Sequence, residues 1–366
     1  MKILCDRTQL QEAFGVVGTV VPAKTTKPIL QNILLTAGDG EIQLFATDLE
    51  MAAKVTIDAV KVHKQGTVLL PSRETSALLR ELNDPTVTLE GAQEQRCRLE
   101  SGGGSFVLLG DDPEQFPEDT QLKSSKKVTV PAGRLQRMIQ ETAFAAAREE
   151  TRYAIHGIMV DLAAGCLRLV ATDGRRLAMS YQNLDSGRTE FRVVVPLRAV
   201  ATLSRAIQEG SKDDVQIAVG DKQIEFTYGR VRLVSQLLDS RFPDYESVVP
   251  KAADTTVELN RAQLESSLRK AAILCADDLR MVKFEVRDSS LRLLAENSTR
   301  GRAEVQMEVT TKGAGGAINF NPDYILEALR VCELETVRLD MSDDSMPAKF
   351  TLGESFTYVV MPISGS

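Results

Sequence analysis

Apolar residues along this chain follow two spacings in turn. Near the N-terminus they recur every three to four residues. Leu10, Phe14 and Val17 share one helical face, and Asp6 is placed to cap a helix over residues 6–21. From residue 28 the spacing drops to two. Alternation predicts strands at 28–35 and 42–46 around a Gly38-Asp39-Gly40 turn, a third through Val55 and Ile57, and a short one at 66–70. The helical spacing returns at Pro71 and stops at Asn83-Asp84-Pro85. Strands at 86–90, 95–101 and 105–109 follow, the last two joined by Gly102-Gly103-Gly104.

Residues 111–127 are rich in Asp, Pro, Gln, Ser and Lys and read as a linker, after which the succession restarts. It predicts a helix at 131–147, strands at 158–162, 167–171, 176–181 and 192–195, and a helix at 196–210 with Gly210 as its C-terminal cap. Strands at 215–219, 223–228 and 231–237 lead to a second linker that opens at Phe242-Pro243-Asp244-Tyr245 and ends near Ala253. A third round has a helix at 260–275 and strands at 282–286, 291–295 and 302–309. Residues 317–320 lead into a helix at 322–332, and strands at 336–341, 348–352 and 357–361 close the chain.

The landmarks keep a fixed period. Asp48, Asp173 and Asn297 each follow an apolar strand and stand 125 and 124 residues apart. Pro71, Pro196 and Pro322 open the second helices at intervals of 125 and 126, and Leu10, Leu135 and Leu264 mark the first helices at 125 and 129. Agreement of three independent landmarks is a repeat of whole domains. The expected fold is α+β, with domains at 1–122, 128–246 and 253–366, each internally doubled, giving six related helices.

Composition narrows the chemistry. The chain has 366 residues, ordinary apolar and charged fractions and a net charge of −7, which argues against a general nucleic-acid coat. Its N-terminus is too short and charged for a signal peptide, and no apolar run approaches a membrane span. Five cysteines, odd in number and never in CxxC pairs, point to a reducing cytoplasm rather than to disulfides or zinc. His63 and His156 are the only histidines, and no Ser-His-Asp pattern, HExxH or Walker A sequence surrounds them. The three glycines at 102–104 lack a following Gly-Lys-Ser/Thr and read as a hairpin turn. Asp111-Asp112 and Asp343-Asp344 lack EF-hand spacing. No catalytic residue, metal or cofactor is expected.

The basic residues do have a pattern. Arg73 and Arg80 lie two turns apart on one helix, and Arg198 and Arg205 repeat that spacing 125 residues later. Arg134 and Arg137, and Arg261, Arg269 and Lys270, lie on first helices, and Arg330 lies on the last second helix. If helices about 10 Å apart line a closed array, six give a circumference of about 60 Å and almost no hole, whereas twelve leave roughly 28 Å clear. Two chains would then admit a nucleic-acid duplex held through its phosphates, with no base reading.

Segments across the whole length resemble one family. They are residues 27–33 (Lys-Pro-Ile-Leu-Gln-Asn-Ile), 45–51 (Phe-Ala-Thr-Asp-Leu-Glu-Met), 152–157 (Arg-Tyr-Ala-Ile-His-Gly), 170–177, 240–245 (Ser-Arg-Phe-Pro-Asp-Tyr) and 358–363 (Tyr-Val-Val-Met-Pro-Ile). In these the chain is similar to the bacterial DNA polymerase III β subunits, the β sliding clamps. The resemblance implies three DNA-clamp domains with helices inside and antiparallel sheets outside, closing as a head-to-tail homodimeric ring. Such a ring encircles duplex DNA and acts as a processivity factor in DNA replication. The implied partners are duplex DNA, the polymerase III catalytic subunit, the clamp loader complex, and other polymerases and repair proteins carrying Leu/Phe-bearing peptides. Implied DNA-binding residues are Lys24, Arg73, Tyr153 and Ala154, with Glu149 where a neutral polar residue would suit DNA better. Arg80, Arg137, Arg198 and Arg205 join them from the helix register.

The resemblance also places a peptide-partner pocket on Ile155, Thr172, Gly174, Arg175, Arg176, Leu177, Pro243, Ser247, Val248, Met346, Val360, Met361, Pro362 and Ile363. Many family members have His where Arg175 stands, and the family's basic and apolar tail is replaced by Ser364-Gly365-Ser366. The dimer interface would pair Phe106 and Leu108 with Ile273 and Leu274. Within the repeat, Asp173 is shared, but Gly174-Arg175-Arg176-Leu177 has no like sequence at 49–51 or 298–300. Those four residues are therefore the expected functional wall. The alternative is a multidomain peptide-binding scaffold that does not encircle DNA.

Overall fold

The structure is a computed structural model. It describes residues 1–366 except 92–94, 120, 121, 123–125, 148–154, 240, 277–279 and 364–366. The first repeat runs β1 (Lys2–Asp6), α1 (Arg7–Val17), β2 (Asn32–Gly38), β3 (Glu41–Thr47), β4 (Met51–Asp58), β5 (Lys61–Lys64) and β6 (Gly66–Pro71), then α2 (Ser72–Glu81), β7 (Thr86–Gly91), β8 (Arg96–Ser101) and β9 (Gly104–Leu109). The second runs β10 (Lys126–Pro131), α3 (Ala132–Ala143), β11 (Gly157–Ala163), β12 (Cys166–Thr172), β13 (Arg176–Asn183) and β14 (Phe191–Pro196), then α4 (Leu197–Ala206), β15 (Asp214–Val219), β16 (Gln223–Tyr228) and β17 (Val231–Gln236). The third runs β18 (Thr255–Asn260), α5 (Arg261–Ala272), β19 (Val282–Arg287), β20 (Ser290–Asn297), β21 (Gly301–Glu308), β22 (Thr310–Gly313) and β23 (Gly316–Phe320), then α6 (Pro322–Val331), β24 (Thr336–Met341), β25 (Ala348–Thr351) and β26 (Phe356–Val360).

Local chemistry starts the helices. Asp6 accepts from the Gln9 amide at 2.8 Å, Asn260 from Gln263 at 2.9 Å and Asn321 from Asp323 at 2.9 Å, each satisfying a first-turn donor. Pro322 lies inside the first turn of α6, whereas Pro71 sits one residue earlier, as the N-cap of α2. That one-position shift is the extra residue in the 126-residue interval.

The chain divides into two compact units, residues 1–136 with 198–237, and residues 137–197 with 238–366. In the first unit, one sheet has the order β5-β1-β7-β8-β9 and another β10-β15-β16-β17-β4-β3-β2-β6. The second unit has β14-β11-β12-β13-β26-β25-β24-β18-β22 and β21-β20-β19-β23. All strand pairs are antiparallel, and side chains alternate inward and outward, so each helix covers one apolar sheet face. Two junctions join repeat to repeat. Met51 of β4 faces Ser235 of β17, and Arg176 of β13 faces Val360 of β26.

Several expectations change. Each repeat begins with a strand ahead of its first helix. Ile3 and Cys5, Val128 and Val130, and Val257 and Leu259 point into the core from β1, β10 and β18. These alternations are short and flanked by charge, and they fall just ahead of the expected helices, outside every expected strand. Residues 28–31 form a 3-10 turn rather than strand, with the Leu30 amide bonded to Lys27 O, because Pro28 has no N–H to give a ladder. Helix α4 ends at Ala206, so Gly210 (φ 73°) closes the turn beyond it instead of capping it. The linker is not loose throughout. Phe116 is buried against Phe45, ring centroids 5.9 Å apart, and Asp119 pairs with Arg232 at 2.6 Å. The glycines at 102–104 turn between β8 and β9, as expected. None of the described helices is long and apolar enough to cross a membrane, and no cluster of metal-binding side chains occurs among the described residues.

Candidate functional site

The turn between β12 and β13 is held by its own side chains. The Asp173 carboxylate accepts from the amides of Arg175 (2.9 Å) and Arg176 (3.1 Å) through Oδ1, and from Arg176 Nε at 3.0 Å through Oδ2. The Thr172 hydroxyl donates to Arg176 O at 2.6 Å and accepts from the Gly174 amide at 3.1 Å. Gly174 has φ 86°, a left-handed conformation that costs a residue with a Cβ about 1–2 kcal/mol. Asp48 and Asn297 make the same turn by accepting from Met51 and Arg300. Shared Asp/Asn chemistry therefore explains the repeat of this motif.

Arg176 is 7 % exposed. Its guanidinium meets Glu327 at 2.5 Å and Phe144 O at 2.9 Å, and lies 4.5 Å from the Tyr324 ring centroid. Burial alone would lower its pKa, but Tyr358 and Glu327 reverse this and hold it raised. Arg176 is thus a permanent charge that fixes the turn against α6.

Beside this turn lies a cleft of about 490 Å³. Ile155, Thr172, Gly174, Arg176, Leu177, Pro243, Val248 and Met361 line it, together with Arg241, Phe242, Asp244, Tyr245 and Val359, which sequence reasoning missed. The Phe-Pro-Asp-Tyr signature held the signal for three of these. Val359 lines the cleft where Val360 was expected, because adjacent strand residues face opposite ways and Val360 is fully buried on the other side of β26. Arg175, Ser247, Met346, Pro362 and Ile363 do not line it either. Arg175 presents its carbonyl to the Met361 amide at 2.9 Å, and the Ser247 hydroxyl turns back to Asp244 O at 2.8 Å. Met346, 51 % exposed, lies in a separate loop capped by Asp343, and the Ile363 amide bonds Asn319 O at 2.9 Å.

One wall is anchored by polar contacts. Tyr245, 2 % exposed, donates to the buried Asp161 carboxylate at 3.3 Å, and Arg192 binds the same oxygen at 2.8 Å. Burial, then Asp161 and Glu246, push the Tyr245 phenol up to about 12. The equivalent seam in the first unit carries an aromatic pair. Phe45 takes the place of Val170, and its ring packs with Phe116, Leu69, Leu34 and Ala52. A large apolar cleft with a few oriented polar groups suits an extended, apolar-anchored ligand.

The basic residues separate into two kinds. Arg137 is engaged by Glu141 (3.0 Å), Glu333 (2.8 Å) and Val331 O, and Arg198 by Asp48, Thr19 O and Val20 O. Both tie repeats together through these contacts. Lys24, Arg73, Arg80 and Arg205 are exposed. Arg73 and Arg80 border a groove of about 1000 Å³ beside α1 and α2. Glu149, Tyr153 and Ala154 lie outside the described residues.

Two sheet edges are open. Edge strand β9 exposes Val107 (55 %) and Leu109 (69 %), which sequence reasoning passed over, while Leu108 is buried and Phe106 half-buried. Edge strand β21 lies in the repeat that also carries Ile273, 72 % exposed, and half-buried Leu274.

Family models described as the N-terminal, central and C-terminal domains of the DNA polymerase III beta subunit match residues 1–120, 129–244 and 246–364. The chain belongs to this family. Beta sliding clamps of Escherichia coli K12 and of Chlamydia trachomatis serovar D are each 31 % identical to it. The matches cover 99 % of this chain with 100 % and 87 % of those proteins. Solved DNA polymerase III β subunits superpose over the full length of both chains. The Pseudomonas aeruginosa clamp bound to griselimycin has TM-score 0.95 at 29 % identity. The Bartonella birtlesii clamp bound to griselimycin has 0.94 at 30 %, and the Thermotoga maritima subunit 0.94 at 25 %. In this β-subunit chain the three-domain α+β repeat is therefore the clamp fold.

Proposed function

We propose that this chain is the processivity factor of DNA replication in its cell. Two copies form a head-to-tail ring that encircles duplex DNA, slides without reading sequence, and tethers the replicative polymerase through the cleft beside Gly174–Leu177. The domains are placed at 1–122, 128–246 and 253–366. The protein acts in the cytoplasm, as a binding partner and not as an enzyme, without metal or cofactor. Its partners are the polymerase III catalytic subunit, the clamp loader complex, and polymerases and repair proteins with Leu/Phe-bearing peptides.

The observation that carries the ring is the strand order. At both repeat junctions the last strand of one repeat pairs with the third strand of the preceding first half, β17 with β4 and β26 with β13. The strands left over are β9, of the first kind, and β21, of the second. Joining β9 to β21 of another copy gives β23-β19-β20-β21-β9-β8-β7-β1-β5, the order already present in the nine-stranded sheet. The register follows too. Leu108, Ser235 and Val360 hold equal places opposite Cys97, Ile224 and Ala348, so Leu108 would face Arg300, and Phe106 would face Arg302. Unpaired edges of this length are otherwise aggregation sites.

Lys24, Arg73, Arg80 and Arg205 supply exposed cations for phosphate contact. The cleft supplies apolar pockets for Leu and Phe side chains, and the griselimycin-bound clamps support a ligand-accepting surface in the family. The deciding experiment loads the protein on closed circular duplex and then linearises it. A ring is retained on the circle and lost rapidly from free ends. Equal retention on both forms rules out encirclement and leaves the peptide-binding scaffold.

A further inference from the structure

Arg241 of the second linker lines the cleft, is exposed, and makes no hydrogen bond or ion pair among the described residues. The neighbouring guanidiniums differ from it. Arg176 is buried and neutralised by Asp173 and Glu327, and Arg192 is held by Asp161 and Glu246. Arg175 does not line the cleft.

The first linker shows that seating the linker does not require this charge. Phe116-Pro117 repeats Phe242-Pro243, and both phenylalanines are buried in the apolar cluster of their own unit. Gln115 therefore stands where Arg241 stands, and its side-chain amide donates to Asp112 at 3.2 Å within the same linker. A neutral side chain with a local partner is enough at that place. Asp244 also lines the cleft, but its repeat is Glu118, so an acid is common to both linkers and the cation is particular to the cleft. A ligand covering Arg241 takes water from the guanidinium, which costs affinity unless the ligand returns a negative charge.

We propose that Arg241 is a specificity-determining residue of the cleft, pairing with an acidic side chain that the partner peptide carries beside its apolar anchors. The inference rests on the peptide-binding reading above and adds the charge that the peptide must bring. A guanidinium holds a carboxylate through two parallel N–H···O bonds, which fixes place as well as sign. Asp244, three residues along the same wall, repels that carboxylate, so the preference is confined to one or two positions of the peptide. The net charge of −7 opposes acidic peptides at long range, so the preference is local to the cleft.

The test titrates the full chain with short fluorescein-labelled peptides carrying Leu and Phe anchors. A single Asp is walked through the remaining positions, and each peptide is compared with its Asn twin. At one or two positions the Asp peptide should bind about five-fold tighter than its twin. Arg241→Gln, which copies the first linker, should bring that ratio to about one, and Arg241→Glu should move the preference to Lys at the same position. Arg188→Gln, at an exposed cation outside the cleft lining, should leave the ratio at its native value. Ratios near one at every position in the native chain, or a ratio that persists in Arg241→Gln, overturn the inference. Peptides that fail to bind the native chain at all, whatever their charge, overturn instead the peptide-binding reading on which it rests.

Discussion

Glu327 of α6 holds Arg176 of β13 at 2.5 Å, beneath the turn that forms one side of the cleft. The guanidinium is buried and also binds Asp173 and Phe144 O, whereas the Glu327 side chain is 30 % exposed. Removing the buried partner strands two carboxylates and a carbonyl. Since Glu327 retains water, Arg176→Ala should cost about 2–3 kcal/mol, less than for a fully buried pair. Arg176→Lys should recover little of it, because an ammonium cannot bridge this set of acceptors while stacking on Tyr324. Denaturant unfolding of the two variants checks both statements, and a loss under 0.5 kcal/mol for the alanine would contradict them.

Side-chain alternation in the C-terminal strand separates neighbours that the sequence does not distinguish. Val359 and Met361 face the cleft, whereas Val360 faces the core, and Pro362 lies off the lining. Met361→Ala should weaken a Leu/Phe-bearing peptide about ten-fold, consistent with losing part of a buried apolar side chain. Pro362→Ala should change affinity less than two-fold, and neither should alter the dimer. Peptide titration with light scattering separates these outcomes. Equal effects from the two variants would remove the lining assignment.

The proposed register between copies can be trapped. Paired residues on antiparallel strands have Cα atoms about 4.5–5.5 Å apart, within disulfide range. Leu108→Cys combined with Arg300→Cys should therefore cross-link two copies on mild oxidation, giving a dimer on a non-reducing gel. Val107→Cys with Arg300→Cys, one residue out of register, should cross-link poorly. The background carries Cys97→Ser and Cys166→Ser, because Cys97 lies opposite Leu108 on β8 and Cys166 is half-buried; the remaining native thiols, Cys5, Cys275 and Cys332, are buried, and burial pushes each of them up. Cross-linking that is equal in both pairs would place the seam elsewhere.

Repeats were the most legible part of the chain, because Asp48, Asp173, Asn297 and the three prolines mark turns whose chemistry is local. The long-range consequences were hidden. Arg198 and Arg205 share a spacing and look alike in sequence, yet Arg198 is taken up by Asp48 while Arg205 stays exposed. Only tertiary packing of α4 against the end of α1 decides this. The cleft was similarly half-visible. Gly174 announces a left-handed turn, yet Leu49 holds the equivalent position with φ 79°, so the glycine does not mark function by itself. At the two seams Phe45 stands against Val170, one core volume change that no periodicity reveals.

Tyr245 ties one wall of the cleft to a pH window. Its phenol is buried beside Asp161 and Glu246, and its pKa in the fold is about 12 against an ordinary 10. A raised folded pKa means the native state holds the proton more tightly than the unfolded chain. The associated stability is therefore complete below pH 10 and is lost as pH rises from 10 to 12. Two pH units correspond to about 2–3 kcal/mol. The stability difference between the native sequence and Tyr245→Phe, measured by denaturant midpoints, should be constant up to pH 9 and shrink by about that amount by pH 12. Comparing the two proteins cancels the alkaline titration of Tyr358 and the buried thiols, which both share. Peptide affinity of the native sequence should fall in the same window, since Phe242, Pro243 and Val248 flank Tyr245 in the cleft wall. A difference that stays flat to pH 12 would show that the phenol releases its proton without disturbing this wall.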